Sequence, residues 1–188
     1  MFKVLKKGCE PTRGTKYSAC VDLFSSEDCV IRAGETKVIG LGVCIDLEKL
    51  IENSNGMFYS QSFDSNNGGW IDSQFNKELF DEFQASHYLQ LMLRSSRGKK
   101  GLILPNGVGV IDLDYPDEIK LIVHNPTQTD DYIENQTDNL SQLYYSEYEI
   151  KKGDKIAQIT MLEHKSYLFG IDTEVERTSG IGSTDEKI

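Results

Sequence analysis

Asn106-Gly107-Val108-Gly109-Val110-Ile111-Asp112-Leu113-Asp114-Tyr115-Pro116-Asp117-Glu118-Ile119 is the stretch whose reading decides the rest. A Gly-rich turn leads into an apolar run, and the run ends on two aspartates and a tyrosine before Pro116-Asp117 turns the chain again. That is the pattern of a short strand between turns. A carboxylate just past a strand end is placed to orient a water, and the adjacent aromatic can pack on a ligand ring. Alone, the same residues serve equally well as an Asx turn with a rim tyrosine, so the flanking sequence has to choose.

Outward from this stretch, short Val/Ile/Leu/Tyr-rich runs predict strands over 2–6, 20–24, 28–31, 36–46, 88–93, 108–111, 118–124, 155–162 and 167–171. Turn residues separate most of them, as in Arg32-Ala33-Gly34-Glu35 and Lys152-Gly153-Asp154. Many short strands with regular turns indicate an all-β sandwich, barrel or jelly roll. No repeat is visible, and 188 residues suit one domain with a sizeable core of its own. Two stretches break the rhythm. Residues 47–86 are polar and uneven, and within them Phe75, Leu79, Phe80 and Phe83 predict an amphipathic helix over 72–83 capped by Asp72 or Ser73. Residues 126–149 read as a long loop or exposed hairpin. The chain therefore divides into a β domain over 1–176, carrying those two insertions, and a Gly/Ser/Thr-rich tail over 177–188 that reads as a flexible lid.

The net charge of −10 argues against a nucleic-acid or membrane-surface binder, which needs a basic face. It leaves room for a polyphosphate ligand if a few cations are gathered locally and a divalent metal shares the charge. No run approaches the length of a membrane span or a secretion signal, so a cytoplasmic location is expected, in the host cell if the chain is viral. Cys9, Cys20, Cys29 and Cys44 form no CxxC and have no nearby His, which favours reduced thiols over zinc.

Four more clusters accompany the first. Ala19-Cys20-Val21-Asp22-Leu23 ends a predicted strand on an acid. Arg94-Ser95-Ser96-Arg97-Gly98-Lys99-Lys100-Gly101 gathers hydroxyls and four cations, a composition suited to phosphate. Gly153-Asp154-Lys155-Ile156-Ala157-Gln158-Ile159 is a turn feeding a strand with one inward amide, and Arg177-Thr178-Ser179-Gly180-Ile181-Gly182-Ser183-Thr184 is a run of donors headed by an arginine. Singly, each has a bland reading as a solvated loop or a disordered tail. All five in this order are harder to explain so.

In order and content the five clusters resemble the five motifs of the trimeric dUTPase family, covering nearly the whole chain apart from 47–86 and 126–149. The resemblance implies a jelly-roll-like β barrel, a homotrimer whose sites draw on all three subunits, and Mg²⁺-assisted hydrolysis of dUTP to dUMP and pyrophosphate. Such an activity limits uracil in DNA and supplies dUMP for thymidylate synthesis. It casts Asp112 as the carboxylate that deprotonates the attacking water. Asn106 and Gly109 lie in the turn that reads uracil through main-chain groups, and Tyr115 is the ring that excludes a 2′-hydroxyl. Arg94, Ser95, Ser96 and Gln158 become phosphate ligands, and Asp22 the acid that holds the metal's water shell. Arg177, Ile181, Gly182, Ser183 and Thr184 belong to the closing tail.

The chain departs from the family pattern at Leu93, where a proline is usual, at Ile181, which takes the place of a stacking aromatic, and at Asp185, in place of a glycine. The run from Arg177 to Gly182 is also one residue shorter. Two alternatives are set against this reading. dCTP deaminase shares the fold but needs a glutamate where this chain has Ile122, between Leu121 and Val123, and an arginine where it has Lys99. A non-catalytic, nucleotide-dependent module contacting a protein partner through the insertions is the other. Phe58, Tyr59, Phe63 and Trp70 suit such a surface.

Overall fold

The structure is a computed structural model that describes residues 1–127, 147–171 and 177, with Asp72 described by its backbone alone. Strands dominate: β1 (Phe2–Val4), β2 (Thr12–Arg13), β3 (Val21–Phe24), β4 (Cys29–Ile31), β5 (Thr36–Gly40), β6 (Val43–Ile45), β7 (Tyr59–Asp64), β8 (Gly69–Phe75), β9 (His87–Leu93), β10 (Gly109–Asp112), β11 (Lys120–His124), β12 (Tyr148–Ile150) and β13 (Lys155–Glu163). Among the described residues, three short α-helices interrupt them: α1 (Leu47–Glu52), α2 (Lys77–Gln84) and α3 (Ser95–Gly98). The class is all-β, as the sequence led us to expect, with two helices rather than one in the first insertion.

Among the described residues every strand pair is antiparallel, and the pairings nest. β3 pairs with β13, β4 with β12 and β5 with β11, like successive rungs of one long hairpin wound on itself. Such nesting makes a jelly roll. β13 also pairs with β9, and β9 with β10, giving the order β10-β9-β13-β3-β2 in the largest sheet. Alternation along these strands sends one face inward. Leu23, Leu89, Leu91, Ile111, Ala157 and Ile159 from the large sheet meet Ile31, Ile39, Leu121, Val123 and Ile150 from the ladders in a single core. Each such Leu or Ile contributes about 1.5–3 kcal/mol through burial.

Three expectations needed correction. The run 36–46 is not one strand: it breaks at Leu41-Gly42 into β5 and β6, because Gly42 takes φ +66°. The helix predicted over 72–83 begins later. Phe75 pairs with Tyr59 in the β7–β8 hairpin, and Asn76, not Asp72 or Ser73, caps α2 by accepting from the Leu79 amide at 3.2 Å. The spacing still placed Phe80 and Phe83 correctly, since both rings pack edge-on against buried Phe58 at 5.1 Å. Finally, 167–171 is not a strand; Ser166–Phe169 form a 3-10 turn closed by Gly170 in the left-handed region. The second insertion lies almost wholly outside the described residues, as does the tail beyond Arg177. Among the described residues no helix is long and apolar enough to cross a membrane. All four cysteines are free thiols, and burial pushes Cys9 and Cys29 above the ordinary thiol range.

Gly42 is fixed three ways. Its amide donates to Glu118 Oε1 at 2.7 Å, its carbonyl accepts from the Leu5 amide at 2.7 Å, and a Cβ would stand 2.6 Å from Cys9 Sγ. Gly34 shares the positive φ, at +70°, but faces open space. Gly42→Ala is expected to lower stability by about 2–4 kcal/mol and Gly34→Ala by only about 1, because the first adds overpacking to the backbone cost. Denaturant unfolding of the two variants measures the difference.

Candidate active site

The site begins with one extra residue. On the β13–β3 ladder Ala157 faces Leu23 and Gln158 faces Asp22, yet it is Lys155, two residues before Ala157, that faces Phe24. Ile156 is therefore a β-bulge. Bulges re-aim side chains, and here the parity of the strand changes across it. Ile156 and Ala157 both turn into the core, while Lys155 and Gln158 come to share the face of Asp22 and Phe24. Gln158 is thus not an inward amide, as the sequence suggested, but stands on the site face. Asp22 likewise does not end a strand; it lies inside β3, which starts at Val21.

The bulge gathers cations around Asp22. Lys155 Nζ lies 3.0 Å from Asp22 Oδ2 and 5.6 Å from the Phe24 ring centre. The carbonyl of the bulged Ile156 accepts from the amide of Arg94 at 3.1 Å, which holds the start of α3, and Arg94 Nε reaches Asp22 Oδ1 at 2.9 Å. Arg97 ties the far side of the loop to the strand through Asp154, at 2.9 Å. The Asp22 side chain is 11% exposed, and each of its oxygens serves a different cation. Ser95 and Ser96 begin α3 beside this cluster and are exposed. In a chain of net charge −10, Arg94, Arg97, Lys99, Lys100 and Lys155 outnumber Asp22 and Asp154 here. Such an enclave attracts anions.

A second group stands at the end of β10. Asp112 faces Tyr88 across the β10–β9 ladder, and Arg177 Nη1 lies 2.7 Å from its Oδ2 and 3.4 Å from Asp114 Oδ1. The guanidinium carbon sits 5.4 Å from the centre of the Tyr115 ring, close enough for a cation–π contact. Tyr115 is buried and donates its hydroxyl to the Glu118 carbonyl at 3.4 Å, so the ring is held from its far end. Beside it a pocket of about 100 Å³ is lined by Leu91, Asn106, Gly109, Ile111, Tyr115 and Ile122, among others. Gly109 lets the hairpin lie close to β9: a Cβ there would come within 3.0 Å of Leu91 Cβ. Ile122 is half-buried rather than fully buried, and its aliphatic side chain brings no proton donor or acceptor to the pocket wall.

Of the expected site residues, the structure places Asp22, Arg94 and Gln158 together and, separately, Asp112, Tyr115 and Arg177, with Asn106 and Gly109 at the pocket. Ile181, Gly182, Ser183 and Thr184 lie outside the described residues. Asp114, as a partner of Arg177, and Lys155, as a partner of Asp22, were visible in the quoted clusters but received no role from the sequence. The two groups occupy opposite ends of β9. Asp112 faces Tyr88 and Arg94 follows Leu93, a separation of roughly 20 Å along the strand at about 3.3 Å per residue.

Solved structures share this fold. The dUTPase of Streptococcus mutans aligns with 86% of this chain and 94% of its own at TM-score 0.52 and 21% identity. A mutant form of the dUTPase from phage 80α aligns over 97% of each chain at TM-score 0.55 and 19% identity. The fold is thus that of a dUTPase. No protein-family model matches the chain. Among curated relatives, the deoxyuridine 5′-triphosphate nucleotidohydrolase of Psychrobacter sp. (strain PRwf-1) is 32% identical over 135 residues, which span 70% of this chain and 64% of that protein. The enzyme of the same name from Nautilia profundicola is 27% identical over 157 residues, 83% of this chain and 73% of the relative. In sequence the chain is similar to these enzymes, spanning 64% of the first relative's length, and in fold it is similar to solved dUTPases.

Removing the shared acid leaves Arg94 and Lys155 facing each other without a counter-ion. Asp22→Ala is expected to cost about 1–3 kcal/mol of stability. In a double-mutant cycle with Lys155→Met the effects fall short of additivity by roughly 0.5–1 kcal/mol, read from paired denaturation curves.

Proposed function

We propose that the chain hydrolyses dUTP to dUMP and pyrophosphate, as a homotrimer, and the observation that carries this reading is the division of its site. A cation cluster suited to a triphosphate stands at one end of β9 and Asp112 at the other, while the pocket opens between Leu91, Asn106, Gly109 and Tyr115. Asp112 acts at the α-phosphorus while the cations hold the same phosphate chain, and a backbone separation of about 20 Å is far more than a triphosphate spans, so the halves serve one substrate when they come from neighbouring copies. Tyr167, Leu168, Phe169 and Ile171, all strongly exposed at the chain's last described turn, offer apolar surface for such an assembly.

The roles follow from the chemistry of each part. Main-chain groups of the Asn106–Gly109 turn, at the pocket rim, suit the O4 and N3–H of uracil; cytosine presents the reverse polarity at both atoms and is rejected by a factor of about 10⁴. Tyr115, buried and pinned through its hydroxyl, leaves no room beneath a deoxyribose for a 2′-oxygen. Asp112 takes a proton from water as the oxygen attacks the α-phosphorus, and the bond from that phosphorus to the α–β bridging oxygen breaks to release pyrophosphate. Its contact with Arg177 neutralises the carboxylate, so the productive state moves Arg177 onto the phosphate chain. Ser95 and the cations of the Arg94–Lys100 loop face the charge that develops on the leaving group. Gly182, Ser183 and Thr184 are assigned to the γ-phosphate through the family resemblance, with Ile181 covering the base.

Mg²⁺ fits this site as a metal carried in by the triphosphate. Among the described residues no group of three or more His, Cys, Asp and Glu side chains could cage a metal. Phosphate oxygens and water, with Asp22 holding the water shell, are the donor set Mg²⁺ ordinarily accepts, and when bound the ion would neutralise charge on the phosphate chain. The half-buried Ile122 counts against deamination, since the pocket wall at that point cannot relay a proton.

Purified protein with Mg²⁺ is expected to release pyrophosphate from dUTP but not from UTP, dCTP or dTTP. Asp112→Asn loses about 10²–10⁴ in rate. Arg94→Ala is likewise crippled, yet the two variants mixed after reversible dissociation recover a fraction of the activity, because some sites then combine an intact Asp112 with an intact Arg94. Ammonia from dCTP would move the chain to the deaminase reading. Full activity from a monomer at all concentrations would dismantle the shared site.

A further inference from the structure

Lys155 owes its position to the bulge at Ile156. Without the extra residue, strand alternation would turn it to the core side with Ala157; with it, Lys155 stands on the face of Asp22 and Gln158. Its ammonium is only partly buried, at 39% exposure of the side chain, and its one charged partner at hydrogen-bond distance among the described residues is a carboxylate shared with Arg94. A core-directed bulge that serves packing alone has no need to carry a lysine to this face. On the other edge of β13 the Ile156 carbonyl accepts from the Arg94 amide, the next rung of the β13–β9 register, so Arg94 and Lys155 reach Asp22 from either side of the same residue.

We propose that Lys155 is a further triphosphate-binding residue, parked on Asp22 until substrate arrives. This inference rests on the dUTPase reading and deepens it. In the free protein Asp22 balances two cations with one negative charge, leaving an excess of positive charge. A phosphate oxygen entering beside Gln158 takes over the second half of that pairing: Lys155 exchanges a carboxylate oxygen for a phosphate oxygen with a change of side-chain rotamer and no backbone movement. Asp22 remains as the guide that holds the flexible four-carbon stem extended, which lowers the entropy lost on binding.

The test measures affinity rather than turnover alone. Binding of the α,β-imido analogue of dUTP and of dUMP is followed by calorimetry for wild type, Lys155→Met and Lys155→Arg, each with Mg²⁺ and again with chelator. Lys155→Met is expected to weaken the triphosphate analogue about tenfold or more under both conditions and to leave dUMP unchanged, while Lys155→Arg restores most of the loss. Equal loss for dUMP and the analogue, or a loss that vanishes in chelator, overturns the proposal, since Lys155 would then act only by shaping the site or by holding Asp22 for the metal. Unchanged analogue binding in Lys155→Met also overturns it. A wild type that binds neither nucleotide fails at the prior step, the dUTPase reading itself, and the two failures are told apart by that control.

Discussion

Side chains alternate along a strand, and by that rule Lys155 would fall in the core with Ala157, yet it stands with Gln158 on the face of Asp22. The conflict is resolved by one residue. Ile156 slips an extra position into the ladder, sends its own side chain and that of Ala157 into the core, and returns the strand to register with Gln158 opposite Asp22 and Met92. On its other edge β13 keeps its regular register with β9, and there the Ile156 carbonyl receives the amide of Arg94, which starts the cation loop. Packing, loop anchoring and ligand chemistry thus meet at a single backbone irregularity.

The electrostatics follow from the same geometry. The proposed triphosphate substrate requires an acidic protein to keep its cations from being neutralised by its own surplus of carboxylates. Here Asp22 is divided between Arg94 and Lys155, and Asp154 is taken up by Arg97, while Lys99 and Lys100 extend the same loop. At the other end of β9 the balance is reversed. Asp112 and Asp114 both lean on one guanidinium, so on the proposed reading Asp112 stays engaged until a phosphate competes for Arg177.

Much of this was legible beforehand because it is local. Turn chemistry and apolar runs marked β3, β4, β9, β10, β11 and β13, and the clusters at Asp22, Arg94, Asp112 and Gln158 stood out in the sequence but took their roles from the resemblance. What escaped was set by partners distant in sequence. β7 and β8 are polar and gain their strand conformation from each other, so Phe75 reads as a helical residue until Tyr59 is seen opposite it. The break at Gly42 depends on Cys9, far earlier in the chain, and on Glu118, far later. The bulge leaves no trace in a run as regular as Lys155-Ile156-Ala157-Gln158, since an extra residue shows only against the strand it fails to match. Likewise, that Asp112 and Arg94 lie far apart within one chain is a fact of register, not of motif.

The nesting of β3 with β13, β4 with β12 and β5 with β11 has a consequence for how such a protein changes over time. Residues 47–86 hang between β6 and β9, and their own strands pair only with each other; the segment touches the main body chiefly through Phe83 and the neighbourhood of α2 and β9. No rung of the roll passes through it. Among the described residues, its length and loops can therefore change while every register that shapes the site stays where it was, which makes this segment a part of the molecule able to diverge without renegotiating the rest.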